Sequence, residues 1–121
     1  PRPPAEIAGG QGAQVLDGRI PVLTVEGEDV SAAFIAGAKQ ALALVAQHGI
    51  HIALLKARSP SCGNRENYDG TFSGTKVAGE GVTAAALRRM GVQVFSEEEL
   101  PAAEAALLAL EQGAGGTIEA G

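Results

Sequence analysis

The chain of 121 residues carries a formal net charge of −5, a single cysteine, no tryptophan and an aromatic share of only 3%. That length suits one domain with a genuine core, which has to be assembled from Leu, Val, Ile and Ala. The acidic balance argues against a nucleic-acid face, which needs clustered Lys and Arg where this chain offers at most Arg88-Arg89. No apolar run approaches the length of a membrane span, and nothing resembles a signal peptide. One cysteine cannot make an internal disulfide, so a reducing cytoplasm fits best. Nor can one cysteine by itself hold a zinc or iron–sulfur site.

In chain order, Pro1-Arg2-Pro3-Pro4 reads as linker or surface turn, since proline can neither begin a central strand nor sit inside a helix. The absence of an initiator methionine there suggests that residues precede Pro1. Residues 8–19, rich in glycine, read as loop and turn. Val22–Val25 is a short extended segment. A helix is expected over roughly 29–48, capped by Asp29 or Ser31 and ended by Gly49. Its apolar face carries Phe34, Ala38, Ala41, Leu42 and Val45 at helical spacing. Ile50–Leu55 is nearly continuous in apolar residues, as a parallel strand covered on both faces would be. Residues 57–81 form a long loop, and loops of that length are often functional. A second helix follows over Val82–Met90 with Leu87 and Met90 facing the core and Gly91 as its stop. Val92–Phe95 is a second strand, Ser96–Glu99 a capping box, and a third helix covers about 97–112. Strands separated by helices imply right-handed parallel crossovers and an α/β layer architecture. The expected organisation is one domain over 1–113 with a flexible tail over 114–121.

The residues that invite chemistry lie in the long loop, beyond the carboxyl end of a strand, where open α/β sheets bind ligands. Cys62 reads two ways. Free cysteine is commonly a small buried hydrophobe. Its neighbours Ser61 and Gly63, with Lys56 and Arg58 close in sequence, instead favour an exposed thiolate, either a nucleophile or a soft metal ligand. His48 and His51 lie at the other end of the strand and read as surface or structural residues. Ser59, Ser61, Thr71, Ser73 and Thr75 fit ordinary turn chemistry or a polar cradle for a ligand. Gly70-x-x-x-Gly74-Thr75-Lys76 lacks the spacing of a phosphate loop. Tyr68 could stack on a ring or anchor the loop. Arg2 and Glu6 read as a solvated pair, and Glu97–Glu99 as a cap.

Taken together, Pro1–Ile7, Gly27–Val30, Ala53–Lys56, Ser59-Pro60-Ser61-Cys62-Gly63, Tyr68–Thr75, Gly81–Ala84 and Val94–Leu100 resemble the bacterial 2-thiouracil desulfurase (TudS-like) family, formerly family 523 among the domains of unknown function. The resemblance runs in order through about Leu100. It implies a Rossmann-like parallel sheet with flanking helices and removal of sulfur from thiolated pyrimidines such as 2-thiouracil. It also implies an oxygen-sensitive 4Fe-4S cluster held by three cysteines, the fourth iron being open to the substrate sulfur. By context Cys62 resembles the last of those ligands. Ser59 and Ser61 stand beside it as candidate catalytic hydroxyls, and Gly63 follows. Tyr68, Asp69, Gly70, Thr71, Phe72, Ser73, Gly74 and Thr75 resemble part of the substrate pocket wall, and Arg2 and Glu6 match a motif that helps to order the site.

The family's other two cysteines and an acidic residue that helps to protonate the product belong to upstream segments that this sequence does not contain. It therefore resembles the C-terminal two-thirds of such a protein, which as written should not assemble the cluster within one subunit. The partner implied is a small thiolated nucleobase, with neither nucleic acid nor membrane. A sheet face left bare would leave room for a homodimer. Two other readings remain at this point: a small-molecule-binding α/β module without catalysis, and a metal-free thiol enzyme using Cys62.

Overall fold

The computed structural model describes residues 4–63 and 65–113. Arg2 and the expected tail over 114–121 lie outside the described residues. The α/β expectation holds: a parallel strand pair is flanked by helices, and short antiparallel pairs are added around it. β1 (Ala5–Ile7) pairs antiparallel with β2 (Val22–Thr24), and β3 (Ile52–Leu55) pairs parallel with β6 (Gln93–Ser96). β4 (Glu66–Tyr68) and β5 (Lys76–Ala78) form an antiparallel hairpin. The helices are α1 (Gly12–Leu16), α2 (Ser31–His48), α3 (Val82–Arg89) and α4 (Leu100–Gly113).

α2 begins where Asp29 Oδ1 accepts both the backbone N–H of Ser31 at 2.9 Å and its hydroxyl at 2.6 Å. The helix ends on Gly49 at φ +62°, the left-handed conformation that only glycine adopts without penalty. Its predicted face packs inward. Ala38 joins Ile7, Val15, Val22, Val82 and Ala86 in one buried cluster, flanked by Phe34 and Leu42. Ala41, Leu42 and Val45 pack against a second cluster of Ala84, Leu87, Val92 and Val94, with Ala53 and Leu55 of β3 beside it. Each fully buried Val, Leu or Ile contributes about 1.5–3 kcal/mol relative to exposure. α3, buried from Val82 through Leu87, joins the two clusters, and α4 packs against both β3 and β6.

Four expectations need correction. Residues 8–19 are not all loop: Ala8–Gly10 makes a 3-10 turn and α1 follows, with Val15 supplying a core side chain. The apolar strand β3 is not covered on both faces, since Leu54 is 51% exposed. The long loop over 57–81 contains the β4–β5 hairpin, whose strands are too short to show a two-residue period. Met90 does not face the core. It is 61% exposed, because α3 ends at Arg89 and the chain has already turned away. The capping box is present, Ser96 N–H donating to Glu99 Oε1 and Glu98 N–H to Ser96 Oγ. It caps a 3-10 turn over Glu97–Glu99 that runs into α4.

Candidate functional site: the Cys62 loop

β3 ends at Leu55, and the chain leaves the sheet through Lys56, Ala57 and Arg58. Arg58 has φ +63°, a left-handed conformation that disfavours any residue with a Cβ. Two acids from the exit of β6 hold it there. Glu97 accepts the Ala57 N–H on both carboxylate oxygens, at 2.8 and 3.0 Å. Glu98 takes the Arg58 guanidinium in a bidentate pair, at 2.9 and 2.8 Å. That pairing holds the Glu98 carboxyl below its ordinary value and pushes the Arg58 guanidinium above its own. A depressed carboxylate keeps its partner at neutral pH and releases it only as pH falls through the lowered value. Arg58, which the sequence placed near Cys62, is thus paired with Glu98.

Ser59 turns the chain. Its Oγ accepts the N–H groups of Ser61 at 3.1 Å and Cys62 at 2.9 Å, and its carbonyl accepts the Gly63 N–H at 2.8 Å. The turn is then fastened onto the start of α3. Pro60 O accepts from Val82 N–H at 2.8 Å, and Ser61 O accepts from Thr83 and Ala84 at 2.8 and 3.1 Å. Gly63 O accepts from Gly81 N–H at 2.6 Å, and the hydroxyls of Ser61 and Thr83 meet at 2.9 Å. A helix start leaves orphan N–H groups that a Ser, Thr, Asp or Asn side chain usually satisfies. Here no side chain caps α3, and two carbonyls of the cysteine loop do so instead. Cys62 is a free, half-buried thiol held by backbone bonds on both sides.

Asn67, in β4, is 1% exposed and links these parts. Its neighbours fix the amide orientation: the nitrogen donates to Ser59 O at 2.7 Å and the oxygen accepts from Gly81 N–H at 3.1 Å. Sequence reasoning missed both Asn67 and Thr83. A lone Asn in a polar loop and a Thr in a helix's first turn carry no signal until the fold buries them.

The Asp69–Thr75 segment is the tip of the β4–β5 hairpin. Asp69 Oδ1 accepts the Thr71 N–H at 2.9 Å and its hydroxyl at 2.6 Å, which lowers the Asp69 pKa. The hydroxyls of Thr71, Ser73 and Thr75 continue as an exposed chain, spaced 2.6 and 2.9 Å. Gly70, at φ +95°, packs on β1's exit, where a Cβ would lie 2.8 Å from Ala8 Cα. Glu6 pins the tip: its Oε1 accepts from Gly70 N–H at 3.0 Å and Phe72 N–H at 3.2 Å. Phe72, at φ +58°, is held left-handed by this contact, and Tyr68 is half-buried in β4. Glu6 is thus an ordering residue of the tip, and Arg2, with which the sequence paired it, lies outside the described residues. Glu6→Ala should cost about 1.5 kcal/mol and raise amide exchange at Gly70 and Phe72 about tenfold, measured by native-state hydrogen exchange. Unchanged exchange at both amides would refute that assignment.

The structure thus gathers Ser59, Ser61, Cys62 and Gly63 into one turn, and Glu6 with Gly70 and Phe72 into another, with Asn67 in the strand between them. His48 and His51 are exposed and stand at the opposite end of β3 from Cys62. A charged cavity of about 270 Å³ opens beside Arg58 and Glu98, lined also by Arg65, Glu66, Lys76, Ser96 and Glu99, and Cys62 is not part of its lining. Among the described residues no three His, Cys, Asp or Glu side chains converge as a metal site, and no helix is long and apolar enough to cross a membrane.

Comparison with known proteins gives a consistent result. The family model for 2-thiouracil desulfurase matches residues 1–99. The uncharacterized protein YbbK of Bacillus subtilis (strain 168) is 48% identical over 100 residues, covering 83% of this chain and 66% of that protein. A solved structure of the [4Fe-4S]-dependent thiouracil desulfidase TudS is 50% identical with a TM-score of 0.78, covering 88% of this chain and 64% of TudS. The chain thus spans just under two thirds of the length of both relatives. With a family model over most of its length, and a fold that superposes on TudS with the Cys62 loop set beyond the parallel pair, the chain belongs to the 2-thiouracil desulfurase family.

Proposed function

We propose that this chain belongs to an iron–sulfur-dependent desulfurase that removes sulfur from thiolated pyrimidines such as 2-thiouracil. Cys62 is then one thiolate ligand of the 4Fe-4S cluster. The observation that supports this most directly is the setting of Cys62: a thiol in the loop that follows the parallel strand β3, its N–H bonded to Ser59 Oγ and its neighbours bonded to α3, in a chain 50% identical to TudS. Thiolates are the ordinary ligands of such clusters.

The donor set tests that reading. The 121 residues contain one thiolate, and no cluster of alternative ligands surrounds it among the described residues. These residues alone do not fit a four-iron cluster. On this reading the complementary cysteines come from chain outside them, in keeping with the shorter span relative to YbbK and TudS. What this chain supplies is positioning. Ser59 holds the Cys62 N–H, Ser61 bonds Thr83 so that the turn stays seated on α3, and Glu6 fixes the Tyr68–Thr75 tip as a wall of the substrate pocket. The substrate is a small nucleobase, and the unpaired cysteine suits a cytoplasmic protein. A metal-free thiol mechanism needs a base beside Cys62, and both histidines stand at the far end of β3.

The test is turnover of 2-thiouracil by the full-length gene product, reconstituted with iron and sulfide without oxygen. Uracil and sulfide are expected in equal amounts, and Cys62→Ser should abolish both. Equal turnover by iron-free protein or by Cys62→Ser would overturn the reading.

A further inference from the structure

Glu97 and Glu98 have a use beyond the helix they introduce. A capping acid needs only the N–H groups of its own first turn, and Ser96 with Glu99 already supplies that box. Glu97 and Glu98 instead reach to the neighbouring strand's exit, 40 residues earlier in sequence. Both oxygens of each carboxylate are engaged there, on the two residues that immediately precede the cysteine turn. One of those two, Arg58, sits at a backbone angle that it would leave if released. From Arg58 the chain passes directly into Ser59, whose hydroxyl sets the Cys62 N–H.

We propose that Glu97 and Glu98 are positioning residues for Cys62: they latch the exit of β3 to the exit of β6 and so hold the left-handed turn at Arg58 that aims the cysteine loop. The parallel register explains why the reach is short. Leu55 and Ser96 are paired across the sheet, so the two exits leave side by side. The latch has a reinforcing neighbour, Glu66 of the hairpin, whose Oε1 lies 3.8 Å from Arg58 and 4.0 Å from Lys76. The hairpin, the cysteine loop and the start of α4 therefore share one charge network. Its importance to catalysis rests on the desulfurase reading above, but its effect on the thiol does not.

The experiment measures the rate at which an uncharged maleimide alkylates Cys62 in the metal-free protein, beside the thermal midpoint. Glu98→Gln and Glu97→Gln should each speed alkylation about threefold while moving the midpoint by less than ~3 °C. Asp17→Asn, which breaks the Arg89–Asp17 pair at 3.1 Å between the ends of α1 and α3, serves as the control and should leave the rate unchanged. In the anaerobically reconstituted full-length protein, Glu98→Gln should also alter the electron paramagnetic resonance signal of the reduced cluster. Alkylation at the wild-type rate in both glutamine variants would overturn the proposal. So would an equal acceleration by Asp17→Asn, which would show only that losing a surface pair loosens the whole chain. Neither alkylation result depends on whether a cluster binds, so failure of the iron–sulfur reading and failure of the latch are separately visible.

Discussion

Replacing Gly81 with alanine should destabilise the protein by about 3 kcal/mol or more and release the cysteine loop from α3. The reason is steric and not conformational, because Gly81 has an ordinary extended backbone with φ −69° and ψ 169°. A Cβ there would lie 2.5 Å from both the carbonyl carbon and the oxygen of Ser61, and 2.8 Å from the Cys62 nitrogen. All three are backbone atoms, and the same backbone is bonded to the first turn of α3, so it cannot step aside without breaking that cap. On the other side, Gly12 packs against Gly81 itself and donates its N–H to Glu80 O at 2.7 Å. Three backbone segments therefore meet with no side chain between them. Chemical denaturation of Gly81→Ala, with Cys62 alkylation followed in parallel, reads both effects. A stability loss below ~1 kcal/mol with unchanged thiol reactivity would show that this contact does not hold the loop.

The second large effect is expected at Asn67. Asn67→Asp preserves shape but replaces the donor facing Ser59 O with an oxygen, in a residue that is 1% exposed. At neutral pH the loss should be about 3 kcal/mol, since an anion would then be buried against a carbonyl. Burial raises such a carboxyl above its unfolded value near 4. The folded state then binds the proton more tightly than the unfolded state does. The penalty is therefore smallest at pH values below the unfolded pKa and grows as pH rises through the folded one. Stability of Asn67→Asp relative to wild type, followed from about pH 4 to 8, should fall with rising pH, and a difference independent of pH would contradict the placement of this side chain.

Much of the architecture was legible because its signals are strong and local. The α2 face at Phe34, Ala38, Ala41, Leu42 and Val45, the stop at Gly49 and the Ser96–Glu99 box each rest on one element's own chemistry. The β4–β5 hairpin was hidden because three-residue strands show no period, and its tip residues read equally well as coil. α1 was hidden under its glycines. Gly12 is there because Gly81 approaches it too closely for any side chain, a fact that belongs to tertiary packing. In the site, Cys62 stood out by residue type and neighbours. Its supports did not, because Asn67, Thr83, Glu97 and Glu98 act across separations that local pattern does not record. The serines beside Cys62 were visible as hydroxyls, but their bonding, Ser59 to the loop's N–H groups and Ser61 to Thr83, emerged only with the fold.

The most direct test of Cys62 as a cluster ligand is an iron and acid-labile sulfide determination, with the visible absorption spectrum, on the full-length gene product reconstituted without oxygen beside Cys62→Ser. About four irons and four sulfides per chain are expected in the wild type, with a broad iron–sulfur absorption that Cys62→Ser loses or holds only transiently. No iron in either protein, or an equally stable full complement in Cys62→Ser, would contradict the account and leave Cys62 as a nucleophile or a packed thiol.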